Sequence, residues 1–365
     1  MKDFFTLYIK SVHFMFYPNK IFVVILLAGL CVSCKKDVDP IIIIQPSSGS
    51  QLELNGLAGS EAGSGAANSV YMDFSTDKPT SVSRAGWDLG FYSGGDFRVI
   101  INNSTSAAGK VLSKNDLNQV TAADTAALVL SFNQFAPSAA EFSLIDDPSG
   151  DISKTLIPSV SSTDADNKVI ILNRGTGGSI GARAWKKLRI LRAGSGYTLQ
   201  YANITDPAYK TVSISKDAAY NFRFVTLDDG SLVNVEPRKE AWDMVWTYSI
   251  YKTSFGAGDV PYSFSDLVFL NPMAGTQAAE VLTSTVSYDN FKESNLSAVT
   301  FSTDRDVLGS KWRATTGTVG VKTDRFYVVK DVAGNVYKLK FLSFATQDGG
   351  TRGKPVIKYE LVKRA

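Results

Sequence analysis

The chain has 365 residues, 44% of them hydrophobic and 20% charged, enough apolar material for one large core or two ordinary ones, and this excludes a disordered chain. Its formal charge of +3 falls to about +1 without residues 1–33, because Lys2, Lys10 and Lys20 against Asp3 carry +2 of it; that balance recruits no nucleic acid. Both cysteines, Cys31 and Cys34, and the single histidine, His13, lie near the N-terminus, so a chain trimmed there has neither a thiol nor an imidazole, the commonest general base and metal ligand.

Lys20 and the apolar run Ile21 to Leu30 have the anatomy of a secretion signal, the run being too short to span a bilayer comfortably. Cys34, after Val32 and Ser33, stands where a bacterial lipoprotein is cleaved and acylated, although Cys31 takes a place where such sites usually carry Leu. A start at Met15 would give a more compact leader. Residues 1–33 are therefore expected to be a signal peptide, and residues 34–65, rich in Ser, Gly and Pro around Ile41 to Ile44, a flexible tether.

A first β unit is expected over 66–214. Val70 to Phe74, Trp87 to Phe91 and Phe97 to Ile101 alternate as strands of an antiparallel meander, with a turn at Lys78-Pro79. Asn115 to Leu130 is read as holding a short helix capped by Asp116 or Thr121. Asp164 to Asn167 lacks the later residues of a calcium loop and reads as a solvated turn. Gly175 to Gly181 fails the spacing of a dinucleotide loop, and Lys186, Lys187, Arg189 and Arg192 read as the basic solvent face of a strand.

A second unit, 215–365, repeats the plan. Trp242-Asp243 stands 155 residues after Trp87-Asp88 (242 − 87), and Ala193-Gly194, Tyr197 and Leu199 fall on Ala333-Gly334, Tyr337 and Leu339 at an offset of 140 (334 − 194). On the strand after Trp242, strict alternation puts Trp242, Met244, Trp246 and Tyr248 on one side. Ser254 to Gly275 reads as a long exposed loop returning into a strand, and Lys354 to Val362 as the closing strand. The whole is expected to be all-β, an antiparallel sandwich-like architecture of two related units.

The Trp242-Asp243 strand, the hairpin from Arg325 to Lys340 (RFYVVKDVAGNVYKLK) and the final Lys358-Tyr359-Glu360, set behind a lipoprotein signal, resemble the HmuY-type haem-binding lipoproteins of outer-membrane iron uptake. The resemblance covers 217–362 well and 66–205 more faintly. It implies a non-catalytic, surface-tethered protein of the outer membrane that captures haem and passes it to an outer-membrane transporter. Members that ligate iron through two histidines have no counterpart in a trimmed chain lacking His13, whereas relatives using methionine do, and thioether is a known axial ligand. The candidates are Met273, in the turn Asn271 to Gly275, then Met244 and Met72; Tyr248, Tyr251 and Tyr262 are phenolic alternatives. Lys252 and Arg305 could meet propionates and are left unassigned. A glycan- or protein-binding module on the same scaffold is the competing reading. An enzyme is the weakest, resting only on acids that folding might gather, such as Asp266, Asp304 and Asp306.

Overall fold

Alternation of apolar and polar residues sets most of the backbone, and the chain follows that two-residue period into strands. The computed structural model describes residues 45–365, so the signal, Cys34 and the start of the expected tether lie outside the described residues. The first half supplies β1 (Gly49–Glu53), β2 (Asn68–Asp73), β3 (Lys78–Ser83), β4 (Leu89–Tyr92), β5 (Val99–Ile101), β6 (Ala108–Val111), β7 (Ile170–Asn173), β8 (Lys186–Ala193) and β9 (Gly196–Asn203). The second half supplies β10 (Lys210–Ile214), β11 (Phe222–Val225), β12 (Leu232–Val233), β13 (Met244–Ser254), β14 (Asp259–Leu270), β15 (Gln277–Leu282), β16 (Arg313–Ala314), β17 (Gly320–Val321), β18 (Arg325–Lys330), β19 (Val336–Ser343) and β20 (Val356–Lys363).

Every pairing is antiparallel. The four main sheets run β14-β13-β2-β3, β5-β4-β11-β12, β15-β18-β19-β20-β1 and β6-β7-β8-β9-β10, with a small β16-β17 ribbon. The first and third of these close one sandwich around Val70, Met72, Met244, Trp246, Tyr337 and Tyr359; the second and fourth close another around Leu89, Phe91, Ile170, Leu188, Tyr197 and Val225. The two inner sheets then face each other, burying Tyr71, Phe222, Phe224, Trp242, Val245 and Phe269 on their opposite faces. The protein is thus all-β and sandwich-like, four sheets deep.

The sheet orders coincide strand for strand when β2, β3, β4 and β5 are matched to β11, β12, β13 and β14. Both inner sheets then take one hairpin from each half of the chain. The same exchange continues outward: β1 completes the sheet of β15, β18, β19 and β20, and β10 completes that of β6 to β9. The two Trp-Asp signatures fasten the exchange. The Asp88 amide donates to Val225 O (2.9 Å) while its carboxylate accepts from Leu227 N (2.7 Å); the Asp243 amide donates to Met72 O (2.8 Å) while its carboxylate accepts from Phe74 N (2.9 Å). Asn102 and Asn271 repeat each other too, each donating its side-chain amide to two backbone carbonyls, Arg84 and Trp87 in one case, Lys239 and Trp242 in the other.

Several expectations are corrected. The boundary at 214/215 is crossed by shared sheets, so the intervals 66–214 and 215–365 do not each hold a sheet set of their own. The tether ends earlier than 65, since Gly49–Glu53 is a strand paired with β20. The expected long loop from Ser254 shrinks to the bend at 255–258, and Asp259–Leu270 is strand β14, whose alternation accounts for the aromatic spacing. Lys78-Pro79 opens β3, an edge strand, where a missing N–H is harmless. The helix expected over 115–130 is two single 3-10 turns, capped as foreseen by Asp116 and Thr121. The offset of 140 matches β8-β9 to β18-β19, whereas sheet order matches β8-β9 to β19-β20; two hairpins with similar turns were aligned one strand out of step. Lys186 and Lys187 are buried, not on a solvent face, and their ammoniums bond Asn203 Oδ1 and the Val120 and Asp206 carbonyls.

Candidate functional site

The exchange leaves a cleft between the two inner sheets. Its walls come in matched pairs, Tyr71 edge-on to Trp242 (5.0 Å, 86°) and Trp87 edge-on to Phe224 (4.8 Å, 76°), one aromatic of each pair from each half. Counting its open mouth, the cleft spans about 1020 Å³, but a water-sized group can be centred in only about 170 Å³ of it. Matched 3-10 turns flank it, so Asn103 and Ser104 on one side stand where Pro272 and Met273 stand on the other.

Its polar groups are unequal. Asp146 is buried and already occupied, its oxygens accepting from Ile101 N (2.7 Å) and Leu156 N (2.8 Å); burial pushes its carboxyl up to about 7, against those two amides. Glu236 Oε2, Arg305 Nε and Trp242 Nε1 are buried without a hydrogen-bond partner among the described residues. Burial pushes Glu236 up to about 8, opposed by the Arg305 charge. Arg305 lies flat over Phe269, its Cζ 4.0 Å from the ring centroid, and burial lowers its pKa. Both act on Tyr71, whose phenol burial raises well above its usual range.

Residues 66–359 match the family model described as HmuY protein. The chain belongs to the HmuY family. No curated protein and no solved structure matches it. The HmuY match spans both halves of the chain, because each sandwich needs strands from both.

Within this HmuY fold the sequence candidates are not brought together. Met273 lines the cleft at its rim and is 39% exposed. Met244 faces away from it, fully buried in the first sandwich and directly opposite Met72 in the β13–β2 register. The expected stripe on β13 splits at its start: Trp242 precedes the strand, where a bend turns it to the Val245 side, into the cleft, while Met244 and Trp246 point into the sandwich. Tyr248 lies away from the cleft, with the Arg84 guanidinium 4.8 Å from its ring centroid. Tyr251 and Tyr262 pack around Phe264 towards the far end of the same hairpin. Lys252 pairs with exposed Asp259 at 3.6 Å. Asp266 is taken by Arg352 at 2.7 Å, and no group of three potential metal-binding side chains occurs among the described residues. No helix among those residues is long and apolar enough to cross a membrane.

Glu236 escaped the sequence reading, and Arg305 was left unassigned. The only local signal for Glu236 is a carboxylate lodged between Val235 and Pro237 just before Trp242. That Arg305 faces it becomes visible only once the inner sheets are stacked.

Proposed function

We propose that this protein is a non-catalytic haem-capturing lipoprotein of the outer membrane, moored at the cell surface through Cys34 and handing its cargo to an outer-membrane transporter. The supporting observation is the HmuY-family match over 66–359 in a chain whose aromatic cleft carries one thioether, Met273, at its mouth. Thioether suits haem iron as an axial ligand, and a cleft walled by aromatic side chains suits an apolar macrocycle. The room open to water-sized groups, about 170 Å³, lies below the few hundred Å³ usual for a ligand pocket, so a bound tetrapyrrole extends into the open mouth beside Met273. No histidine or second methionine lines the cleft among the described residues, so Met273 stands alone as a sulfur ligand there.

Titration of the mature protein with haemin under reducing conditions should give a shifted Soret band that Met273→Ala shifts again or abolishes, while Tyr248→Phe leaves it unchanged. Absence of any spectral change removes the haem reading. The second reading, a surface module for another ligand, is favoured by the lack of a paired axial ligand and would stand in that event.

A further inference from the structure

The inner end of the cleft holds a carboxylate and a guanidinium that are not spent on each other. Glu236 and Arg305 form no ion pair within 4.0 Å, yet each feels the other's charge, and both have a buried polar atom without a partner among the described residues. A third such atom is the indole N–H of Trp242, a residue 5% exposed. Buried polar groups are ordinarily paired, so four orphans on one cleft, Asn103 Oδ1 being the fourth, point to something that completes them.

The charges restrict what that is. Glu236, raised to about 8 by burial, ionises in the cleft only beside a cation, and the Arg305 guanidinium, which also feels Asp306 and Asp147, opposes a lone cation and calls for an anion. A molecule carrying both charges satisfies both residues. Asp146, the other buried acid lining the cleft, does not disturb this assignment, because both its oxygens are held by backbone amides. The walls add a ring requirement, since Tyr71, Trp87, Phe222, Phe224, Trp242 and Phe269 offer faces and edges to a planar group. The room of about 170 Å³ open to water-sized groups suits a small ligand with a single ring.

We propose that the cleft binds a free aromatic α-amino acid, its carboxylate held by Arg305 and the Trp242 indole N–H, its ammonium by Glu236, and its ring between the aromatic walls. This ligand is distinct from haem, and its binding does not depend on haem being carried.

Calorimetric titration of the mature protein with L-phenylalanine, 3-phenylpropionate and phenethylamine tests it. L-Phenylalanine should bind roughly tenfold or more tightly than either analogue, each of which lacks one charge-assisted contact. Glu236→Gln should erase the preference over 3-phenylpropionate, and Arg305→Gln the preference over phenethylamine, with Arg305→Lys restoring part of it. Far-UV circular dichroism and melting temperature establish that each variant is folded; should Arg305→Gln fail to fold, the Glu236→Gln and Arg305→Lys arms still decide. The proposal is overturned if L-phenylalanine shows no binding at millimolar concentration, if 3-phenylpropionate binds as well as the amino acid, or if the folded variants keep the wild-type selectivity. A haemin titration run in parallel reports on the haem reading alone.

Discussion

Asp88 and Asp243 hold corresponding places and receive corresponding amides, yet only one of them is neutralised. Asp88 takes a buried bidentate contact from Arg174 (2.8 and 2.7 Å) and a further, partly buried bond from Arg183 (3.2 Å). Asp243 has no cation within 4.0 Å; burial, opposed by the Phe74 amide and reinforced by Asp331 and Asp73, pushes it up to about 8. Arg174→Ala should therefore strand a buried carboxylate and cost about 3–5 kcal/mol, read as a lower urea midpoint. Asp243 acts through pH. Its folded pKa lies above its unfolded value near 4, so the folded state keeps a proton that the unfolded chain has released; the associated stability is whole below that value and drains away as pH rises through about 8. Asp146 and Glu236 carry the same sign. The urea midpoint should fall between about pH 5.5 and pH 9, and Asp243→Asn should shrink that fall; a midpoint that rises over this range contradicts the assignment. The Trp-Asp pairs stood out in the sequence as a signature, but not what they do, because the amides they fasten come from residues about 150 positions away.

At the scale of elements, β1 shows how composition can hide a strand. Ser47 to Ser50 and the glycines from Gly56 to Gly65 give the segment the look of a linker, and the short alternation Gln51-Leu52-Glu53-Leu54 inside it is the only strand signal. Leu54 nevertheless has no exposed surface and belongs to the first sandwich's core. Leu54→Ala should lower stability by about 2–5 kcal/mol in a denaturant titration, a loss no linker residue could cause. The alternation of β2 and β11 follows the two-residue period, whereas Trp87, expected on one face with Leu89 and Phe91, precedes β4 and turns to the cleft side while those two enter the second sandwich. The β13 stripe was misassigned only at its first residue, because Trp242 lies ahead of the strand and the two-residue rule holds only within it. Burial on both faces of the inner sheets explains why these strands carry large apolar side chains at consecutive positions, as in Phe91-Tyr92 and Val245-Trp246, where a one-sided strand would alternate.

For the whole molecule, periodicity shows that a residue is buried but not against which partner, and so the exchange between halves was not legible. The candidate cleft was hidden for the same reason: its walls are 171 residues apart for Tyr71 and Trp242 (242 − 71) and 137 for Trp87 and Phe224 (224 − 87). Neither half has a complete sandwich of its own. Fragments 45–209 and 210–365 should each fail to give a cooperative melt when made alone and should recover one when produced together, with the intact chain unfolding in a single transition. A cooperative melt from 210–365 by itself would contradict the exchange.

The pairing of β1 with β20 also dictates when the protein can be finished. Synthesis delivers Gly49–Glu53 some three hundred residues before its neighbour Val356–Lys363. The earliest strand must therefore wait, edge open, while some three hundred residues emerge, and closure of its sheet is a late and slow event of the kind set by distant contacts. A nascent chain stalled before Val356 would leave β1 without its partner strand.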